Sequence, residues 1–292
     1  MNKPLLDKLV VYGAGLIGGS FALALKRAKA VRRVVGVGRS RKTLQQALRL
    51  RVIDEIAGGD AQALRDADLV LLAMPVAQTA PVLARIAPHL GPRTVVTDAG
   101  STKQDVVSHA ARFLGPHLSR FVPAHPIAGA EKTGPQAAKA DLYRDRNVVI
   151  VPQPQTSAAA LRLVKRAWRL CGARVSEMTA DAHDRMFAAV SHLPHVLAFA
   201  LVDEIAQRRD AATLFRYTAG GFRDFTRIAG SSPEMWRDIC VANRAALLDE
   251  LERYQAQLDR MAGLIEQGDG DALERLFTRA RDARARWLVP RK

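Results

Sequence analysis

Cysteine is scarce: Cys171 and Cys240 are the only two in 292 residues. Two thiols cannot make a disulfide framework and give a structural zinc site no material, so cofactor chemistry has to come from other groups and no metal is expected. Long apolar runs are missing as well, since no continuous stretch approaches the ~20 residues a spanning helix needs. The basic start, Met1 to Lys8, leads into a short strand-like run ending in glycines, which is not the layout of a cleavable signal. These absences predict a cytoplasmic protein with no membrane partner. The net charge is +15, yet the chain has no basic run of five or more and no interleaving of aromatics with its scattered arginines. A solvated basic surface is expected rather than a nucleic-acid partner.

What remains is ordinary for a globular protein: 48% hydrophobic and 25% charged residues, over a length that suits two domains. The charge is uneven. Residues 1–172 hold 26 Lys/Arg against 11 Asp/Glu, whereas residues 173–292 hold 18 of each. Such asymmetry steers anionic ligands toward the first part. Short apolar runs alternate there with helical stretches. Leu9–Tyr12, Val34–Val37, Leu69–Ala73, Thr94–Asp98, Val122–Ala124 and Val148–Val151 read as strands. That alternation predicts βαβ units in an α/β fold with a doubly wound parallel sheet.

From about Ala180 only helical periods remain. Met186, Val190, Leu193, Leu197, Leu201 and Ile205 form one apolar stripe, interrupted by Pro194, which removes an amide and kinks the helix. Leu247, Leu251, Tyr254, Leu258, Met261 and Ile265 alternate steps of four and three, the period of a coiled-coil-like seam. Gly268-Asp269-Gly270 stops that helix, and Asp271 to Leu288 reads as the last one. The seam suits a homodimer, and an intrachain bundle would give the same pattern. The division expected is a dinucleotide-binding domain at 1–172 and a helical substrate and dimerisation domain at 173–292.

Gly13-Ala14-Gly15-Leu16-Ile17-Gly18 follows a strand and opens a helix, the setting in which GxGxxG binds a dinucleotide. Gly13 permits the tight turn, Gly15 lets a pyrophosphate approach, and Gly18 lets the helix lie close on the sheet. The helix start at Leu16 and Ile17 then turns free amides toward the phosphates. An NAD-type site would carry an Asp or Glu at the end of the second strand, but the chain reads Gly38-Arg39-Ser40-Arg41-Lys42-Thr43. Arg39, Ser40, Arg41 and Thr43 suit a 2′-phosphate, so NADP is favoured, with NAD the alternative cofactor.

Two further segments fall at later strand ends, Asp98-Ala99-Gly100-Ser101-Thr102-Lys103 and Pro123-Ala124-His125-Pro126. A histidine held between prolines is placed rigidly and can accept a proton near neutral pH; the same pattern also fits a loop histidine bonded to backbone. The helical part contributes Ser191-His192-Leu193-Pro194-His195 and Gly220 to Arg227. His192 and His195 lack a carboxylate or thiolate at ligand spacing, which disfavours a metal pair. Arg227 is either a surface ion-pair partner or a planar fork for a substrate carboxylate.

Taken in order, GAGLIGGS, DAGSTK, HPIAGAEKTG, SHLPH and GGFRDFTRIA resemble the prephenate/arogenate dehydrogenases of tyrosine biosynthesis over nearly the whole chain. The resemblance implies a Rossmann-like domain followed by an all-helical dimerisation domain. By that likeness His125 acts as general base on the ring hydroxyl, and Ser101 assists it. Arg227 anchors a substrate carboxylate and His195 lies near the substrate side chain, with His183, Glu131 and Asp224 in supporting positions. Loss of the hydroxyl proton, hydride transfer to the nicotinamide and release of CO2 then leave an aromatic ring. A β-hydroxyacid dehydrogenase would share the architecture but would want a lysine in the helical part, and residues 173–291 contain none. A dinucleotide-sensing or nucleic-acid-binding regulator is the reading from another class, supported only by the net charge.

Overall fold

The computed structural model of the chain describes residues 4–129 and 132–288. Its first strand, β1 (Leu6–Tyr12), is buried at all but one position. It is followed by α1 (Leu16–Arg27), β2 (Val31–Val37), α2 (Arg41–Arg49), β3 (Glu55–Ile56), α3 (Asp60–Leu64), β4 (Leu69–Leu72), α4 (Thr79–Ile86), β5 (Val95–Asp98), α5 (Gln104–Phe113) and β6 (Phe121–Val122). These strands form one parallel sheet in the order β3-β2-β1-β4-β5-β6. Near-continuous apolar strands such as Leu69–Leu72 are what a sheet covered on both faces requires. Phe21, Leu25 and Trp168 belong to the core on one side, and Leu83, Ile86 and Phe121 to the core on the other. The doubly wound sheet expected from the sequence is present, and strand order reverses between β1 and β4, where such sheets bind ligands.

Two expected strands belong elsewhere. Pro123 has no amide to continue a ladder, and the chain changes sheets there. β7 (Ala124–Pro126), β8 (Asn147–Ile150) and β9 (Arg174–Glu177) form a separate three-stranded sheet, with α6 (Ala158–Leu170) between the last two. β7 pairs antiparallel with β8, setting His125 opposite Val149. The runs at 122–124 and 148–151 are therefore split between two sheets rather than being successive members of one.

The helical part begins with α7 (Ala180–Phe187), capped by the Thr179 hydroxyl, which accepts from the Ala182 amide. A π-helical segment, Ala188–His192, joins it to α8 (Leu193–Ala206). Pro194 does not break this helix: the wider turn before it absorbs the missing amide. The extra residue in that turn also rotates the helix face, which is why the apolar stripe read from a uniform period fails. Met186 and Val190 are exposed, while His183, Asp184, Phe187 and His192 are buried. The continuous run Ala180–Ala206 is long and apolar enough to cross a membrane by length and composition. His183, Asp184 and His192 within it, however, are buried and bond to His125, to the Lys103 and Gln104 amides and to Asn243, as in a helix packed inside a protein.

α9 (Ala211–Arg216), α10 (Gly220–Thr226), a 3₁₀ turn at Arg227–Gly230 and α11 (Pro233–Ala242) follow. Trp236 and Ile239 of α11 pack with Val76 from the turn after β4. α12 (Arg244–Glu266) and α13 (Gly270–Leu288) end the chain. Contacts divide the molecule into a unit ending at Arg244 and a second unit from Ala245 onward. In the second unit, the seam residues Leu258 and Ile265 are exposed.

Candidate active site

The glycine loop joins β1 to α1 by close approach. Gly13 has φ +94°, and a Cβ there would stand 2.4 Å from the Ala73 carbonyl oxygen. At Gly18 a Cβ would meet the Gly13 oxygen at 2.3 Å and Val11 at 2.7 Å, so only glycine lets α1 lie this near the sheet. Gly15 differs: nothing lies within 4 Å of its Cβ position, and that open space is what an approaching pyrophosphate needs. Leu16 and Ile17 begin α1, with the Ile17 carbonyl accepting from the Tyr143 hydroxyl at 2.6 Å.

Beside the loop lies a cavity of about 470 Å³, lined by Gly13, Gly15, Arg39, Ser40, Thr43 and Met74 among others. Ser40 caps α2, its hydroxyl accepting from the Thr43 amide at 3.2 Å and the Thr43 hydroxyl at 3.0 Å. The Arg39 guanidinium is exposed, 3.7 Å from Glu234 of α11. Arg41, the first residue of α2, is exposed and does not line the cavity; nor do Leu16 and Ile17. The glycine cradle and this cavity fit an adenine dinucleotide.

At the carboxyl ends of the parallel strands, Ser101 is half-buried in the loop after β5, and His125 stands three residues past the end of β6, on β7 of the second sheet. His125 Nδ1 is 2.8 Å from His183 Nε2, and His183 Nδ1 is 2.7 Å from Asp184 Oδ1. Asp184 also accepts from the Lys103 amide at Oδ1 and the Gln104 amide at Oδ2, both at 2.8 Å. A carboxylate with two amide donors is ionised, so His183 donates to it from Nδ1 and accepts at Nε2. His125 must then donate from Nδ1, which leaves the lone pair on Nε2 to take a proton. Burial, reinforced by the neighbouring charges, holds His125 well below the ordinary imidazole range. Burial also lowers His183, against the pull of Asp184. The Asp184 carboxyl would rise on burial, but its bonds from His183 and the two amides hold it below its usual value.

The helical residues form a second layer. His195 Nδ1 donates to the Ser191 carbonyl at 2.9 Å, and its ring stacks on Trp236 at 3.6 Å. Burial lowers its pKa despite that bond, and the charge of Arg227, which is exposed at the start of the 3₁₀ turn after α10, lowers it further. His192 is held by the Asn243 amide, which donates to its Nδ1 at 3.0 Å; burial lowers it to about 4. His192 and His195 thus give their Nδ1 atoms to different partners. Asp224 is exposed on α10, and Glu131 lies outside the described residues.

The sequence reading passed over Asp184, Lys103, Asn243 and Trp236. Asp184 did leave a trace, as an acid beside a candidate histidine on a helix face that turns out to be buried. Asn243 donates to the Asp184 carbonyl at 2.8 Å from 59 residues away, a relation no local pattern carries.

Comparisons with known proteins agree with this geometry. Residues 21–177 match the family description "Prephenate dehydrogenase, nucleotide-binding domain", and residues 179–279 match "Prephenate dehydrogenase, dimerization domain". The chain is 38% identical to a prephenate dehydrogenase of Bacillus subtilis, over 97% of this chain and 76% of that one. It is 36% identical to a cyclohexadienyl dehydrogenase of Zymomonas mobilis, over 94% of each. Among solved structures, prephenate dehydrogenase from A. aeolicus, in complex with hydroxyphenyl propionate and NAD+, superposes with a TM-score of 0.90 at 35% identity, covering 96% of this chain and 98% of that one.

Proposed function

The chain belongs to the prephenate dehydrogenase family of NAD(P)-dependent oxidoreductases, and from that premise we propose that it oxidatively decarboxylates a cyclohexadienyl substrate, prephenate or arogenate, using NADP in preference to NAD. The observation that carries this reading is the His125 imidazole, backed by His183 and Asp184, with its Nε2 left to accept a proton just past the carboxyl end of β6. When bound, the nicotinamide supplies a hydride acceptor. Gly13, Gly15 and Gly18 would cradle the pyrophosphate at the start of α1.

His125 Nε2 takes the proton of the ring hydroxyl, so that the carbon bearing it can release hydride. The charge gained by the imidazole is stabilised through His183 by Asp184. His183 has both ring nitrogens engaged within the protein, so its part is to orient the base rather than to bond substrate. Ser101, on the neighbouring loop, assists in orienting the hydroxyl. Arg227 anchors a substrate carboxylate, and His195 on its Trp236 platform lies near the substrate side chain; Asp224 and Glu131 are assigned supporting roles. The division between cofactor and substrate functions falls near residue 172. We assign the working unit as a cytoplasmic homodimer, on the match to a dimerisation domain and the exposed seam of α12.

Replacing Arg227 with alanine should chiefly raise KM, because carboxylate anchoring operates in ground and transition states alike. Initial rates over a substrate series check this, and an unchanged KM for both prephenate and arogenate would remove Arg227 from the site.

Cofactor choice rests on the end of β2. The segment that ends β2, Gly38 to Thr43, carries no carboxylate of its own; Arg39, Ser40 and Thr43 line the cavity, and the Arg39 guanidinium lies 3.7 Å from Glu234. Two charge-assisted bonds at ~1.5–3 kcal/mol each would favour the 2′-phosphate by more than tenfold. A Cβ at Gly38 would meet only Leu44, at an ordinary 3.6 Å, so a side chain fits. Exchanging Gly38-Arg39 for Asp-Ala should therefore reverse the preference toward NAD. Rates for both substrates with both cofactors form the test. A wild-type preference for NAD would defeat the NADP assignment, and absence of turnover in all four combinations would defeat the reaction itself.

A further inference from the structure

We propose that Lys103 is a positioning residue for this reaction: its side chain and its backbone together close a ring of hydrogen bonds around His125 and keep a buried positive charge beside the base. The inference rests on the reading of His125 given above.

The ring can be followed bond by bond. Lys103 Nζ donates to Asp98 Oδ2 at 2.5 Å, and Asp98 Oδ1 accepts from the Ala124 amide at 3.0 Å, one residue before His125. From His125 the path runs through His183 to Asp184, and Asp184 accepts from the backbone amide of the same Lys103 at 2.8 Å. Lys103 thus ties both the strand that carries the base and the acid that backs it. The loop is shaped around the pair. The Gly100 amide donates to Asp98 at 2.8 Å, and a Cβ on Gly100 would stand 2.9 Å from Asp98 Oδ2 and 3.5 Å from Lys103 Nζ.

Stability alone does not account for this pair. Lys103 is wholly buried and Asp98 nearly so. Buried ion pairs are often no better for stability than apolar residues of the same volume, so a lysine retained here calls for another reason. The reason lies in what the cation does to its neighbours. The groups facing His125 are His183 and Asp184 from α7, His192 from the π segment, and Lys103 with Asp98 from the β5 loop. Burial lowers His125 most, then His183, then Lys103 and His192. The ammonium therefore opposes protonation of the resting imidazole, while the ring holds its Nε2 in one direction.

The test is the titration of His125 in the full-length protein without cofactor. It is followed by NMR of isotope-labelled histidine, with the signal assigned by its loss in His125→Asn. In Lys103→Met the His125 pKa should rise by about one unit, because a neighbouring cation is gone. The double variant Asp98→Asn/Lys103→Met leaves no unpaired buried charge, keeps the shape of the pair, and should show a smaller rise. Asp98→Asn alone should show none. The acid limb of kcat/KM should move to higher pH in step with the titration. A purely structural lysine would lower activity without moving either curve, and an unmoved His125 titration in a folded double variant would overturn the proposal. If the titration moves and the acid limb does not, the link between Lys103 and His125 stands, and the assignment of His125 as the base falls instead.

Discussion

Replacing His125 with asparagine should lower kcat by ~10²–10⁴-fold while leaving cofactor affinity nearly unchanged. Asparagine suits the test because of the bonds at this position. Its Nδ2 can donate to His183 Nε2 as the ring Nδ1 does, so His183 and Asp184 keep their partners, while the lone pair at Nε2 is lost. The cofactor cavity is lined by other segments and should not change. The wild-type pH profile is part of the same expectation. The folded protein holds His125 below the ordinary value of ~6.5, and a base works only when unprotonated. The acid limb of kcat/KM should therefore fall below that value, and activity should persist through pH 6. Near-normal turnover in the variant, with cofactor binding intact by titration, would take His125 out of the mechanism.

Asp184→Asn is the second large effect, expected at roughly 10²-fold or more in kcat. The carboxylate accepts three bonds, from His183 Nδ1, the Lys103 amide and the Gln104 amide. An amide in its place must turn an NH2 toward one of these donors. Facing Oδ2's partner, it meets the Gln104 N–H; facing Oδ1's partners, it meets the Lys103 N–H and drives His183 to accept at Nδ1. In the second arrangement His183 becomes a donor at Nε2, His125 must accept at Nδ1, and its proton moves to Nε2. The base is then blocked by its own hydrogen. Either arrangement leaves a buried donor unmatched, at ~1–3 kcal/mol of stability. Thermal melts separate that cost from catalysis: a folded variant with unchanged kcat would show that His125 does not depend on this acid.

Much of the fold could be read in the residues because its causes are local. The glycine loop, the apolar strands Leu9–Tyr12 and Leu69–Leu72 and the helices between them follow from turn chemistry and burial on both faces. β3 and β9 escaped notice because two or four residues, partly polar, make strands only when a neighbour offers its edge. The π segment escaped because a uniform helical period was assumed on both sides of Pro194. The site divides in the same way. Gly13, Gly18 and His125 are marked by neighbouring glycines and prolines, whereas Lys103 and Asn243 take their meaning from partners on distant segments. Lys103 was in view within DAGSTK, but nothing in that run says that its side chain turns inward to Asp98.

Length, more than composition, is constrained between Asp184 and His195. Deleting one residue from Ala188–His192 would close the wide turn into an ordinary α-helical one, turning α7 by about 100° relative to α8. His183 and Asp184 lie before that segment, His195 after it. Side chains exposed there, such as Val190, can be exchanged with little effect on the rest, but a change of one in the count would turn the Asp184–His183 pair and the His195–Trp236 stack away from one another. Members of such a lineage that share the reaction are expected to vary at exposed positions of this stretch, such as Val190, and hardly at all in its number of residues.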